Sequence, residues 1–106
     1  MNEQSILELM IQRRKQVLIH SILYYKMGES IISDQQWNYF ARELYELNQK
    51  YPELAETGFL AKEFKDFHPS SGYDLPLNDR WGVQKAQWLL DYKNGKLKED
   101  EKSGFR

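Results

Sequence analysis

YYKMGESIISDQQWNYF, residues 24–40, contains a helix end, a turn and a helix start. Gly28 lies just past the last residue of an apolar periodic run, where a left-handed C-cap belongs and where glycine carries no Cβ penalty. Ser33 is followed three residues later by Gln36, the spacing of a capping box that satisfies orphan backbone N–H groups at a helix start. The stretch therefore joins two helices through a short turn, and the chain on either side is expected to fold back as a helical hairpin. It also gathers Tyr24, Tyr25, Trp37, Tyr39 and Phe40. Those rings read either as hairpin core or as a pocket that sandwiches a flat ligand.

Upstream, the spacing predicts one long helix over about residues 4–27. Leu7, Ile11, Leu18, Ile22 and Tyr25 form its stripe, and Met10, Val17 and Tyr24 adjoin it. Gln12, Arg13, Lys15 and Gln16 supply a wet face, and Arg13-Arg14-Lys15 reads as a solvated basic patch. Downstream, Trp37, Phe40, Ala41, Leu44 and Leu47 mark the apolar side of the second helix, with Glu46 and Lys50 spaced as an i,i+4 pair. Pro52 ends it, because the residue before proline is pushed out of helical geometry.

Residues 53–67 hold short helical turns divided by Gly58, with Leu60, Phe64 and Phe67 facing inward. HPSSGYDLPLND (68–79) is dense in turn formers and reads as a loop. A last helix is expected over about 80–93, opened by Asn78 or Asp79 and closed by Asn94-Gly95. Its Trp81, Trp88 and Tyr92 share one side, Ala86 and Leu89 widen the apolar face, and both tryptophans are expected in the core. KLKEDEKSGFR reads as a charged, frayed tail. No internal repeat and no strand pair is evident. The expected fold is all-α, one small domain: a hairpin over 1–54, a short helix, loop and C-terminal helix over 55–93 packed on it, and a tail over 94–106.

Composition narrows the function classes. The chain has 106 residues, 41% hydrophobic and 29% charged, which suits one globular domain with a modest core. Fifteen basic and sixteen acidic residues give a net charge of −1, against a dedicated binder of the DNA backbone. The absence of cysteine excludes disulfides and thiolate metal sites. The N-terminus lacks the order of a signal peptide, and no apolar run approaches the roughly 18–20 residues of a bilayer span. A cytoplasmic protein without membrane association is expected.

Asp34, Trp37, Asn38, Ala41 and Arg42 recur at spacings of three and four, so they share one broad side of the second helix. The helix start beside them has unpaired N–H groups and a partial positive charge that suits a phosphate. Tyr24 and Tyr25 are returned to this neighbourhood by the turn. Aromatic faces, a carboxylate, an amide and a helix start together suit a nucleotide or a nicotinamide ring. The plainer reading is that Asp34 answers the helix dipole and the rings are core. Spacing alone leaves both open.

HSILYYKMGESIISDQQWNYFARELYELNQKYPEL, residues 20–54 and about a third of the chain, resembles the N-terminal Ia domain of bacterial NAD-dependent DNA ligases. That family carries a tyrosine-histidine pair, a short turn into I-S/P-D-A-E-Y-D, then L…EL..LE..HPEL, and the alignment needs no gap. The periodicity of the first helix extends it to residues 1–54. The resemblance implies a domain that binds the nicotinamide mononucleotide (NMN) half of NAD and helps its enzyme adenylate itself. Tyr24 then falls on the ring-stacking tyrosine and Asp34 on the first carboxylate. Tyr25 replaces the motif histidine, Trp37 the second tyrosine and Asn38 the second aspartate. Trp37 can still stack on a flat ring, and Asn38 can still hydrogen-bond a ribose without a negative charge. Loss of the histidine removes a charged phosphate contact.

A ligase also needs a nucleotidyltransferase domain with a lysine in a K-x-D-G type motif, and the sequence holds none; KNGK (93–96) is a helix end. The expectation is a non-enzymatic module, of phage or mobile-element origin by analogy. Its old ligand face would engage a protein partner in DNA replication, repair or host defence. The alternative is a binder of NMN or NAD through Tyr24, Tyr25, Asp34, Trp37 and Asn38. Elsewhere, His20 reads as a surface or satisfied half-buried histidine. His68, Ser70, Ser71 and Asp74 suggest a triad but lack a nucleophile elbow, so a hydrolase ranks last. Asp66, His68 and Asp74 match no metal-ligand spacing.

Overall fold

Each long helix is fixed by a local cap. Asn2 accepts the Ser5 N–H at 2.8 Å and opens α1 (Glu3–Met27), and Gly28 closes it at φ 65°, with the Glu29 N–H returning to the Leu23 carbonyl at 2.9 Å. Ser33 Oγ accepts the Gln36 N–H at 3.0 Å and opens α2 (Asp34–Lys50), as its spacing predicts. Pro52 then starts the single turn α3 (Pro52–Ala55), followed by a 3₁₀ turn at Lys62–Phe64. Asp79 accepts the Gly82 N–H at 2.8 Å and opens α4 (Arg80–Lys93). This is the computed structural model, which describes residues 2–95; from residue 96 onward the expected charged tail lies outside the described residues. Among the described residues there is no strand, and the all-α class holds. No described helix is long and apolar enough to cross a membrane.

Packing explains where the periodicity of α1 misleads. α1 is flanked by both α2 and α4, so it is buried round much of its circumference rather than along one stripe. Ile6, Ile19 and Leu23 join Met10, Val17, Leu18 and Ile22 in the core, while Tyr24 and Tyr25, expected on the stripe, are exposed. α4 approaches α1 closely at Gly82, where a Cβ would stand 2.7 Å from Ile22 Cδ1. Ala41 and Leu44 of α2, Ala86 of α4, and Leu60, Phe64 and Leu75 complete the core.

Arg14 is no part of a solvated patch: its side chain is 0% exposed. Its guanidinium donates to the carbonyls of Leu54 (3.0 Å), Thr57 (2.8 Å) and Phe59 (2.9 Å). Left-handed backbone at Gly58 (φ 86°) and at Leu60 (φ 65°) turns the two preceding carbonyls toward it. A buried cation without a carboxylate is tolerated because three oriented dipoles replace water, and burial still pulls its pKa below the ordinary value.

Two further expectations change. Glu46 and Lys50 do not pair; Lys50 lies 5.5 Å from the Tyr51 ring, and the ion pair instead joins Arg13 to Glu43 across α1 and α2. Among the described residues, the two tryptophans of α4 differ in their surroundings. Trp81 packs on the core, with Phe59 edge-on at 4.9 Å, whereas Trp88 stacks on exposed Tyr92 at 5.8 Å.

Candidate functional site

The end of α1 and the start of α2 meet at one end of the hairpin, which brings the five sequence-predicted residues together. Tyr24, Tyr25, Asp34, Trp37 and Asn38 all line one cleft of about 260 Å³. The choice between core and pocket resolves residue by residue. Tyr24 is 56% exposed and Tyr25 40%, so neither ring belongs to the core. Phe40 packs on the core, Ala41 is within it, and Ser33 is a cap. Trp37 is intermediate: half-buried, with its indole Nε1–H donated to Ser21 Oγ at 3.1 Å. That bond fixes the indole plane against the cleft.

A wall of the cleft comes from far along the chain. Ser70 and Ser71 line it, and Ser71 Oγ shares a hydrogen bond with the Tyr25 hydroxyl at 3.2 Å while accepting the Tyr73 N–H at 3.0 Å. Gly72 is pressed onto the Ser21–Trp37 pair: a Cβ there would lie 2.1 Å from Ser21 Oγ and 3.2 Å from Trp37 Cζ2. Only glycine lets the loop sit this close. Outside the wall, Tyr73 meets Tyr25 edge-on at 5.5 Å, and Tyr25 meets Tyr24 edge-on at 4.9 Å.

Sequence reasoning missed His20, Ser21, Ser70 and Ser71 as lining residues. His20 and Ser21 had a signal, since each lies one helical turn before Tyr24 or Tyr25. The two loop serines had none, because their place is tertiary. His20 is half-buried, but it is not satisfied as expected: its Nδ1 is buried without a hydrogen-bond partner. Desolvation pushes its pKa down to about 4, so the ring is neutral near pH 7.

The charge pattern is simple. Asp34 is the one acidic side chain that lines the cleft, and no lysine or arginine lines it, among the described residues. Lys26, next to Tyr25, lines a different hollow with Tyr73, Asn78 and Asp79. The arrangement suits a flat ring held between aromatic faces, with polar edges for hydroxyl or amide groups.

The loop does not assemble a triad. His68 Nδ1 accepts the backbone N–H of Ser70 at 3.2 Å rather than a serine hydroxyl, and its ring meets Tyr45 at 5.5 Å. Among the described residues no group of three or more histidine, aspartate or glutamate side chains could hold a metal ion.

Comparison with known proteins covers the helical hairpin. The DNA ligase-like, N-terminal NAD+-binding domain family matches residues 3–58. A DNA ligase of Pseudothermotoga lettingae is 42% identical over 41 residues, which make up 39% of this chain and 6% of that protein. A DNA ligase of Fervidobacterium nodosum is 39% identical over 41 residues, again 39% of this chain and 6% of the ligase. The chain therefore spans only a small part of the length of these relatives. No solved structure matches it. The Ser70–Gly72 wall lies beyond the matched residues.

Proposed function

The chain belongs to the DNA ligase-like, N-terminal NAD+-binding domain family, and from that premise we propose that it is a non-catalytic module that binds the nicotinamide end of an NAD-type ligand. One observation carries the reading: the five residues at the family's nicotinamide positions line a single open cleft instead of disappearing into the core. Tyr24 and Trp37 are the ring platforms. Asp34 and Asn38 are the polar contacts to the ribose or the carboxamide, and the Tyr25 hydroxyl, held by Ser71, closes the rim. Binding rather than adenylation at this cleft is supported by the absence, among the described residues, of a lining lysine to attack an α-phosphate.

Titration calorimetry with NMN, NAD+ and nicotinamide riboside tests the reading. Heat with at least one of them is expected, weakened by Tyr24→Ala and by Asp34→Ala. No heat with any of the three at millimolar concentration would overturn it.

A second reading is favoured by the exposed file of Tyr24, Tyr25 and Tyr73, since aromatic side chains are enriched where proteins meet. A replication, repair or host-defence protein docking on that rim would compete with the nicotinamide ligand. Simultaneous binding of both would place the partner elsewhere.

A further inference from the structure

A bound phosphate needs cations or a cluster of free N–H donors. Among the described residues the cleft offers no such cation. No lysine or arginine lines it, His20 is held neutral by burial, and Tyr25 stands where the ligase pattern has histidine. Lys26 lines the other hollow. At the start of α2 the Gln36 N–H is taken by Ser33 Oγ, and the Asp34 carboxylate already occupies the first turn. In the loop wall the Ser70 N–H is taken by His68, and the Ser71 hydroxyl is shared with Tyr25 and Tyr73. A phosphate entering here meets one carboxylate and, among the described residues, no cationic side chain.

The same features favour a positive ring. An N-glycosylated nicotinamide in its oxidised form is a pyridinium cation, and tyrosine and tryptophan faces attract cations. Asp34 adds a fixed negative charge beside them. The cleft, at about 260 Å³, also falls just under the roughly 300–1,000 Å³ of drug-sized ligand sites, which suits one ring and one sugar better than a dinucleotide.

Resting on the nicotinamide reading of the cleft, we infer that its preferred occupant is the oxidised, phosphate-free nucleoside, nicotinamide riboside, rather than its 5′-phosphate or NAD+. The specificity lies in Asp34 together with a wall stripped of cations.

Calorimetry on the full chain at low, fixed ionic strength separates the outcomes, using nicotinamide riboside, NMN and the reduced 1,4-dihydro riboside. The oxidised riboside is expected to bind about tenfold or more tighter than NMN, the scale of one uncompensated charge pair near a protein surface. The reduced riboside, neutral and of similar shape, is expected to bind more weakly than the oxidised one. NMN binding as tightly as the riboside, or tighter, overturns this inference and leaves the nicotinamide reading standing; silence from all three ligands and from NAD+ removes both. Asp34→Asn provides the second measurement. It should weaken the riboside and narrow its gap from NMN, and an unchanged gap would refute the role given to the carboxylate.

Discussion

Acidification from pH 7 to pH 5 should destabilise the protein specifically through His20. The ring is half-buried, its Nδ1 has no partner, and its pKa is pushed down to about 4 from an ordinary 6.5. Above pH 6.5 both folded and unfolded states hold it neutral. Between 6.5 and about 4 the unfolded chain takes the proton and the folded chain does not, so stability falls as pH falls through this window. At pH 5, 1.5 units below the unfolded value, the loss is about 2 kcal/mol at 1.36 kcal/mol per unit, rising to about 3 kcal/mol below pH 4. Most carboxylates are still ionised at pH 5, which isolates the histidine. Urea unfolding of the wild type and of His20→Gln at both pH values is the assay. The wild type should lose about 2 kcal/mol more than the variant. Equal losses, or an NMR titration of the His20 ring with a midpoint near 6.5, would refute the reasoning.

Arg14→Met keeps the apolar bulk but strands three part-buried carbonyls, and should lower unfolding stability by roughly 3 kcal/mol, with Arg14→Lys intermediate because an ammonium lacks the planar fork. Loss under about 1 kcal/mol for Arg14→Met would mean that water reaches those carbonyls. Gly72→Ala drives a methyl into Ser21 and should displace the loop wall, costing about 1–3 kcal/mol and weakening the nicotinamide ligand while helix content by circular dichroism holds. Unchanged affinity would place the ligand away from the wall. Ser21→Ala leaves the Trp37 indole N–H without its acceptor and should cost about 1–2 kcal/mol in urea unfolding.

The parts of this fold written in local chemistry were legible. The Ser33 cap, the Gly28 terminus and the Pro52 break each act within a few residues, and each stands where its spacing predicts. Arg14 was not legible, because nothing near it announces three carbonyls supplied by residues 54–59 through the turns at Gly58 and Leu60. The apolar stripe of α1 was too narrow for a related reason: a helix flanked by both α2 and α4 follows two neighbours at once, and periodicity describes one. In the cleft, helical spacing and the family pattern found five of the seven residues contributed by α1 and α2. Ser70, Ser71 and Gly72 escaped, since their approach to Trp37 is a long-range contact with no period to betray it.

The indole of Trp37 gives the molecule an optical property. It is clamped by Ser21 and faces the cleft, whereas Trp81 lies beside Phe59 and Trp88 beside Tyr92, both on α4. A pyridinium ring seated against Trp37 would accept an electron from the excited indole and quench its emission, while the other two tryptophans supply a constant background. Occupancy of the cleft is then readable from the protein's own fluorescence without any label, and Trp37→Phe would switch that signal off.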